Sequence, residues 1–141
     1  MSDHQSDKQF QFASPIFRVP NAVAAAEYYV SVFGFTYDWG FGDPPTFTAV
    51  TRESVKIFFN QISDQSISSA RKALNTDSAD LYIFVRCADD VYEELKSRGA
   101  ELLAEPKTYD YGMRDFSTRD LNGYVLTFGH DASGSTEQTD S

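Results

Sequence analysis

The chain is short of the residues on which much protein chemistry depends. It holds one cysteine, Cys87, so no intrachain disulfide can form and a reducing, cytoplasmic setting is expected. Cys87 ends an apolar strand-like run, which reads as packing rather than as a catalytic thiol. There are two histidines. His4 lies in a polar terminal stretch, and His130 follows the last apolar run without an evident orienting partner, so it reads as a surface residue rather than a general base. No run is apolar for long enough to span a bilayer, and the N-terminus lacks the charged-then-apolar order of a signal peptide. Basic residues are scarce too: 12 Lys and Arg against 21 Asp and Glu give a net charge of -9. Nucleic acid and anionic membrane both reward a basic face, so neither is expected as a partner.

Aromatic side chains, by contrast, are plentiful. They make up 15% of the chain, with 12 Phe and 8 Tyr, inside a hydrophobic total of 41% that fits a globular protein. Aromatics fill cores, and they also line sites for flat or apolar ligands. The acidity serves solubility and is compatible with a cationic ligand.

Residues 1–9 and 131–141 are polar and aperiodic and read as disordered tails. Between them, "FASPIFRVP" reads as a strand stopped by Pro20. Asn21 is a good N-cap for the helix "AVAAAEYYVSVF", whose expected buried stripe is Val23, Ala26, Tyr29, Val30 and Phe33. Gly34 is its stop. "FTYDWGFG" is a strand, Asp43-Pro44-Pro45 a turn, and "TFTAVTR" with "SVKIFFNQ" a hairpin around Glu53 and Ser54. A polar linker, 62–79, contains "SISSARKAL", a candidate short helix. The pattern then restarts with strand "DLYIFVRC" and helix "ADDVYEELKSR", capped near Ala88 or Asp89, with Val91, Leu95 and the Lys96 stem inward and Gly99 at its end. Strand "AELLAEP", loop "KTYDYG" and a hairpin of "MRDFSTRD" and "YVLTFGH" closed by Asn122-Gly123 complete it. One β-α-β-β-β unit thus occurs twice, over about 12–61 and 80–130, within a single domain of 10–130. The fold class expected is α+β, two βαβββ modules forming a cleft-bearing curved mixed sheet.

Alternation along the strands sorts their faces. Phe17 and Val19, then Val55, Ile57 and Phe59, then Leu81, Ile83 and Val85, then Tyr124, Leu126 and Phe128 suit packing against helices. The opposite faces carry Ser14, Ile16, Arg18, Lys56, Phe58, Asn60, Asp80, Tyr82, Phe84, Arg86 and Thr127. Apolar bodies with a few polar groups are the usual makeup of a small-molecule groove. Asp80 is the one carboxylate in that inventory. Trp39 and Tyr37 share a face of the second strand and, with Phe41, offer a stacking surface.

Three stretches carry a family resemblance. "YGMRDFSTRDLNGYVLTFGH", with Arg119-Asp120-Leu121-Asn122-Gly123 as its turn, resembles the C-terminal signature of the glyoxalase/bleomycin-resistance/extradiol-dioxygenase superfamily, the vicinal oxygen chelate fold. "FRVPNAVAAAEYYVSVFGF" resembles its first-module signature, and "VRCADDVYEELKSRGAELL" its second-module helix. The resemblance covers about 12–129. It implies paired modules with a cleft, and a homodimer. Metal-dependent members place one ligand on the first and last strand of each module, which corresponds here to Ser14, Phe58, Asp80 and Thr127. Those residues lack the imidazole and carboxylate set that Zn, Ni or Fe(II) needs, so neither a metal nor any other cofactor is expected.

The function expected is therefore a metal-free small-molecule-binding protein of the bleomycin-resistance type, sequestering a ligand in an aromatic-lined groove. The alternative is a glyoxalase-like lyase or isomerase with an unusual or absent metal, which would need Asp80 as its acid or base. No catalytic residue is assigned. The candidate ligand-binding residues are Arg18, Trp39, Phe58, Asn60, Asp80, Tyr82, Phe84, Arg114 and Thr127. Arg18 provides a fork for a carboxylate unless it pairs within the groove, and Arg114 lies near a loop that borders the cleft in the related fold.

Overall fold

In the computed structural model, residues 7–63 and 78–133 are described. The first module runs β1 (Ile16–Val19), α1 (Ala22–Phe33), β2 (Thr36–Gly42), β3 (Pro45–Arg52) and β4 (Val55–Gln61). The second runs β5 (Leu81–Phe84), α2 (Ala88–Ser97), β6 (Glu101–Leu102), β7 (Lys107–Thr108), β8 (Met113–Arg119) and β9 (Val125–Asp131). The candidate helix "SISSARKAL" lies outside the described residues.

Each module folds into its own mixed sheet, ordered β1-β4-β3-β2 in the first and β5-β9-β8-β6 in the second, with β7 also on β8. The first and last long strands of each module are parallel neighbours, Arg18 beside Asn60 and Phe84 beside Gly129. Parallel neighbours need a crossover, and the helix with its hairpin supplies it. The fold class is α+β, with the two units in two sheets rather than one continuous one.

Local chemistry explains most element ends. The Asn21 side chain accepts the Ala24 N–H at 2.9 Å, and Gly34 leaves α1 at φ 74°. Helix α2 has no such side-chain cap at Cys87; instead His130 Nδ1 accepts the Ala88 N–H at 2.9 Å. The strand expected at "AELLAEP" is cut to Glu101–Leu102, because Pro106 has no N–H for the ladder, and pairing resumes at Lys107–Thr108 in what the sequence presents as loop. The buried stripe of α1 is Ala22, Ala25, Ala26, Tyr29 and Phe33. Val30 is 37% exposed, because the large Tyr29 and Phe33 rings set the inward direction and leave it on the flank.

The helix-facing sides of both sheets meet in one core. It joins Phe17, Phe33 and Phe59 of the first module to Ile83, Leu95, Phe116, Leu126 and Phe128 of the second. Polar links stitch the seam. The Tyr29 hydroxyl donates to Asp120 Oδ2 at 2.7 Å. The Tyr124 ring stacks on Phe17 at 4.2 Å, and its hydroxyl donates to the Arg18 carbonyl at 2.7 Å while accepting the Arg18 N–H at 3.1 Å. Farther along, Arg52 grips Glu94 with both guanidinium nitrogens, at 2.8 and 3.1 Å, and also donates to the Phe33 carbonyl.

Candidate functional site

On the first module's outer face, the register places Ile16, Phe58, Ala49 and Trp39 in one row and Arg18, Asn60, Phe47 and Phe41 in the next. Trp39 stacks with Phe47 at 5.9 Å and tilts against Phe58 at 5.9 Å, and Phe47 meets Phe58 at 5.6 Å. Ala49, between Trp39 and Phe58, is fully buried. The result is an aromatic wall, still 41% exposed at Trp39, with Ile16 and Phe41 exposed at its sides. Lys56 is neutralised by Asp38 at 3.1 Å. Arg18, exposed beside the wall, has no ion-pair partner among the described residues.

The second module's outer face is more polar. Tyr82 lies over Gly129 and donates to Asp115 Oδ2 at 2.9 Å. Gly129 is required there: a Cβ would stand 2.1 Å from the Tyr82 hydroxyl and 2.8 Å from the Asp115 side chain. Burial and then the bond to Asp115 raise the Tyr82 pKa above the ordinary phenol value, which keeps it a hydrogen-bond donor and a poor base. Thr127 bonds to Ser117 at 2.7 Å, and Phe84 is 75% exposed beside Tyr82. Tyr109 and Tyr111 stack in the β7–β8 connection, with the Lys107 ammonium over Tyr109.

The structure brings Arg18, Trp39, Phe58 and Asn60 together on one face and Tyr82, Phe84 and Thr127 on another. It separates the rest. Asp80 turns its carboxylate to the Val125 N–H at 2.9 Å, closing the β5–β9 ladder end. Arg114 lies on the helix side of β8, where it grips Asp89 at 2.7 and 2.9 Å and Thr108 at 3.0 Å. That pair holds the Asp89 carboxyl below its ordinary pKa. Tyr37 and Trp39 do not share a face: a bulge at Asp38 puts Tyr37 opposite Val50, on the core side, and Trp39 opposite Ala49. Asp115, rather than Asp80, is the carboxylate beside Tyr82, and Ser117, Asp38 and Phe47 are further outer-face residues. Alternation along β8 from the core residue Phe116 would have found Asp115 and Ser117; the bulge has no comparable signal.

Two modules of β-α-β-β-β, each with its outer strands parallel and its outer face bearing aromatic and polar residues, form a distinctive architecture, and a family profile described as Glyoxalase/Bleomycin resistance protein/Dioxygenase superfamily matches residues 11–128. The chain belongs to that superfamily. Several solved structures share the fold. TioX from Micromonospora sp. ML1 is 15% identical with a TM-score of 0.66, over 84% of this chain and 96% of TioX. The bleomycin-binding protein of bleomycin-producing Streptomyces verticillus, complexed with copper(II)-bleomycin, is 21% identical with a TM-score of 0.66, over 86% of this chain and 96% of that one. A glyoxalase-related enzyme from Clostridium phytofermentans is 12% identical with a TM-score of 0.66, over 84% and 93%. No curated protein matches the sequence significantly.

Within the superfamily, the metal-bearing positions correspond here to residues that do not fit a metal. Phe58 has no donor atom, Ser14 offers only a neutral hydroxyl, buried and without a partner among the described residues, the Thr127 hydroxyl is bonded to Ser117, and the Asp80 carboxylate accepts from Val125. Among the described residues no three His, Cys, Asp or Glu side chains converge. Nor is any helix among them long and apolar enough to cross a membrane.

Proposed function

We propose that the protein is a metal-free small-molecule-binding protein that sequesters a flat ligand against its aromatic wall. The observation that carries this reading is the exposed Trp39–Phe47–Phe58 surface flanked by Asn60 and by Arg18, which has no ion-pair partner among the described residues. A planar ring gains apolar burial and stacking there, and Arg18 with Asn60 fixes a polar edge by hydrogen bonds. Tyr82, Phe84 and Thr127 form a second wall. Among the described residues of one chain both walls remain open, so we assign the complete groove to a homodimer, with the first wall of one copy facing the second wall of the other. Binding is favoured over catalysis because Tyr82 is held by Asp115, Thr127 by Ser117 and Asp80 by the Val125 N–H.

Trp39 is the single tryptophan, so its emission reports directly on the wall. Copper(II)-bleomycin, metal-free bleomycin and a panel of smaller planar aromatics are the probes. A ligand of the proposed kind quenches Trp39 emission saturably, and Phe58→Ala weakens it about tenfold, the loss expected for one buried ring contact. Sedimentation at micromolar concentration gives a dimer. A stoichiometric, tightly held metal, or a panel in which no aromatic perturbs Trp39, defeats the reading.

A further inference from the structure

The two modules are related by an approximate two-fold repeat, and the seam between them has two equivalent ends. At one end Tyr124 fills the space. Its ring stacks on Phe17, and its hydroxyl satisfies both outward backbone groups of Arg18. The Arg18 backbone groups point outward because Pro15, just before β1, and Val19 turn theirs the other way, accepting from Phe58 N–H of β4 and from Ile62 N–H just after it. At the other end the same register recurs. Val85 donates to the Gly129 carbonyl of β9, which leaves Phe84 with its N–H and carbonyl pointing outward as Arg18 does. Matching Arg18–Asn60 to Phe84–Gly129 places Ile83 where Phe17 stands and Val55 where Tyr124 stands. Likewise Leu95 occupies in α2 the position that Tyr29 occupies in α1.

Aliphatic residues thus replace three aromatic ones, and this end of the seam is open. A cavity of about 540 Å³ lies there, lined by Phe33, Val55, Ile83, Phe84, Leu95 and Phe128 among others. Of its five charged neighbours, Arg52 and Glu94 are tied to one another, and Glu53, Arg86 and Asp90 make up the rest. We propose that this cavity is a second binding site, for a small phenol, and that Tyr124 at the opposite end is its internal template. A phenol ring replaces the missing aromatic packing against Ile83, and its hydroxyl donates to the Phe84 carbonyl and accepts the Phe84 N–H. A hydroxyl is the group that can do both from one atom. Phe84 takes part in both sites with different atoms, its exposed ring on the groove wall and its backbone edge here. The site is independent of the groove reading, since Val55, Ile83 and Leu95 belong to the helix-facing side.

p-Cresol, the tyrosine side chain as a free molecule, is the probe. At millimolar concentration it shifts the NMR methyl signals of Val55, Ile83 and Leu95 and leaves the Trp39 indole signal in place. 4-Methylanisole, which cannot donate, binds about tenfold more weakly, the cost of leaving the Phe84 carbonyl without its donor. Val55→Tyr supplies the missing ring from within and removes p-cresol binding; Val55→Phe, which needs no hydroxyl partner, gives the same loss should Val55→Tyr not fold. The inference is overturned if p-cresol moves no methyl, if it moves only Trp39, if the anisole binds equally well, or if both Val55 variants bind p-cresol as the parent does.

Discussion

Asp120 shows at the scale of one residue how burial and hydrogen bonding compete. Its carboxylate accepts from the Tyr29 hydroxyl and from the Asn122 and Tyr124 N–H groups at 2.7, 2.8 and 2.9 Å. Burial outweighs those three donors and pushes its pKa up to about 6, from 3.8. The folded state therefore holds a proton in the window between those values that the unfolded state has released. This group's contribution to stability is complete below about pH 3.8 and is lost as pH rises through about 6. Asp120→Asn removes that dependence: urea unfolding at pH 4, 5, 6 and 7 should give a wild-type advantage over the variant that shrinks as pH rises. Glu94 works in the opposite sense. Its hydrogen bonds to Arg52, and also those to Arg98, hold its pKa below the ordinary value, so its contribution is present above about 4.5 and is lost as pH falls through the folded value. The pair is partly exposed, so Glu94→Gln should cost roughly 0.5–1 kcal/mol at pH 7 and less at pH 3. Alternation alone gave the faces of Arg18, Phe58, Tyr82 and Thr127. Tyr37 was misplaced because one extra residue in a bulge inverts every later side chain of a strand. The partners of Asp80 and Arg114 were beyond reach, since they depend on which backbone N–H and which helix carboxylate stand beside them in space.

At the scale of the element, caps and breakers were the most legible features. Asn21, Gly34 and Pro20 bound α1 as their chemistry requires, and Asn21→Ala should lower stability by about 1 kcal/mol in chemical denaturation. Helix α2 departs from this pattern. Its N-terminal N–H is received by His130, a residue at the far end of the chain, so His130 has a positioning role that its place in the sequence concealed. The repeat itself was visible in the order of elements. The short β6 and β7 were not, because a proline interrupts a strand whose partner, β8, runs on past the break.

For the whole molecule, two sheets share one core through their helix faces, and among the described residues both outer faces are left free. A repeat in sequence announces two like units; it does not say which sides of them meet. That choice rests on a few cross-module contacts, Tyr29 with Asp120, Tyr124 with Phe17 and Arg18, and Arg52 with Glu94, each between residues distant in the chain. The asymmetry of the seam, filled at Tyr124 and open at Val55, follows from differences in side-chain size between equivalent positions.

The Tyr124 hydroxyl has a further consequence. An unpaired strand edge is a template on which another chain can add a strand, and proteins guard such edges. At Arg18 a single phenol occupies the N–H and the carbonyl that an incoming strand would use first. Tyr124 thus covers the β1 edge at Arg18 as well as packing in the core. Tyr124→Phe keeps the ring on Phe17 and releases those two groups, so heated samples of the variant should aggregate sooner by light scattering than their loss of unfolding free energy accounts for. Equal onset once stability is matched with urea would assign Tyr124 to packing alone.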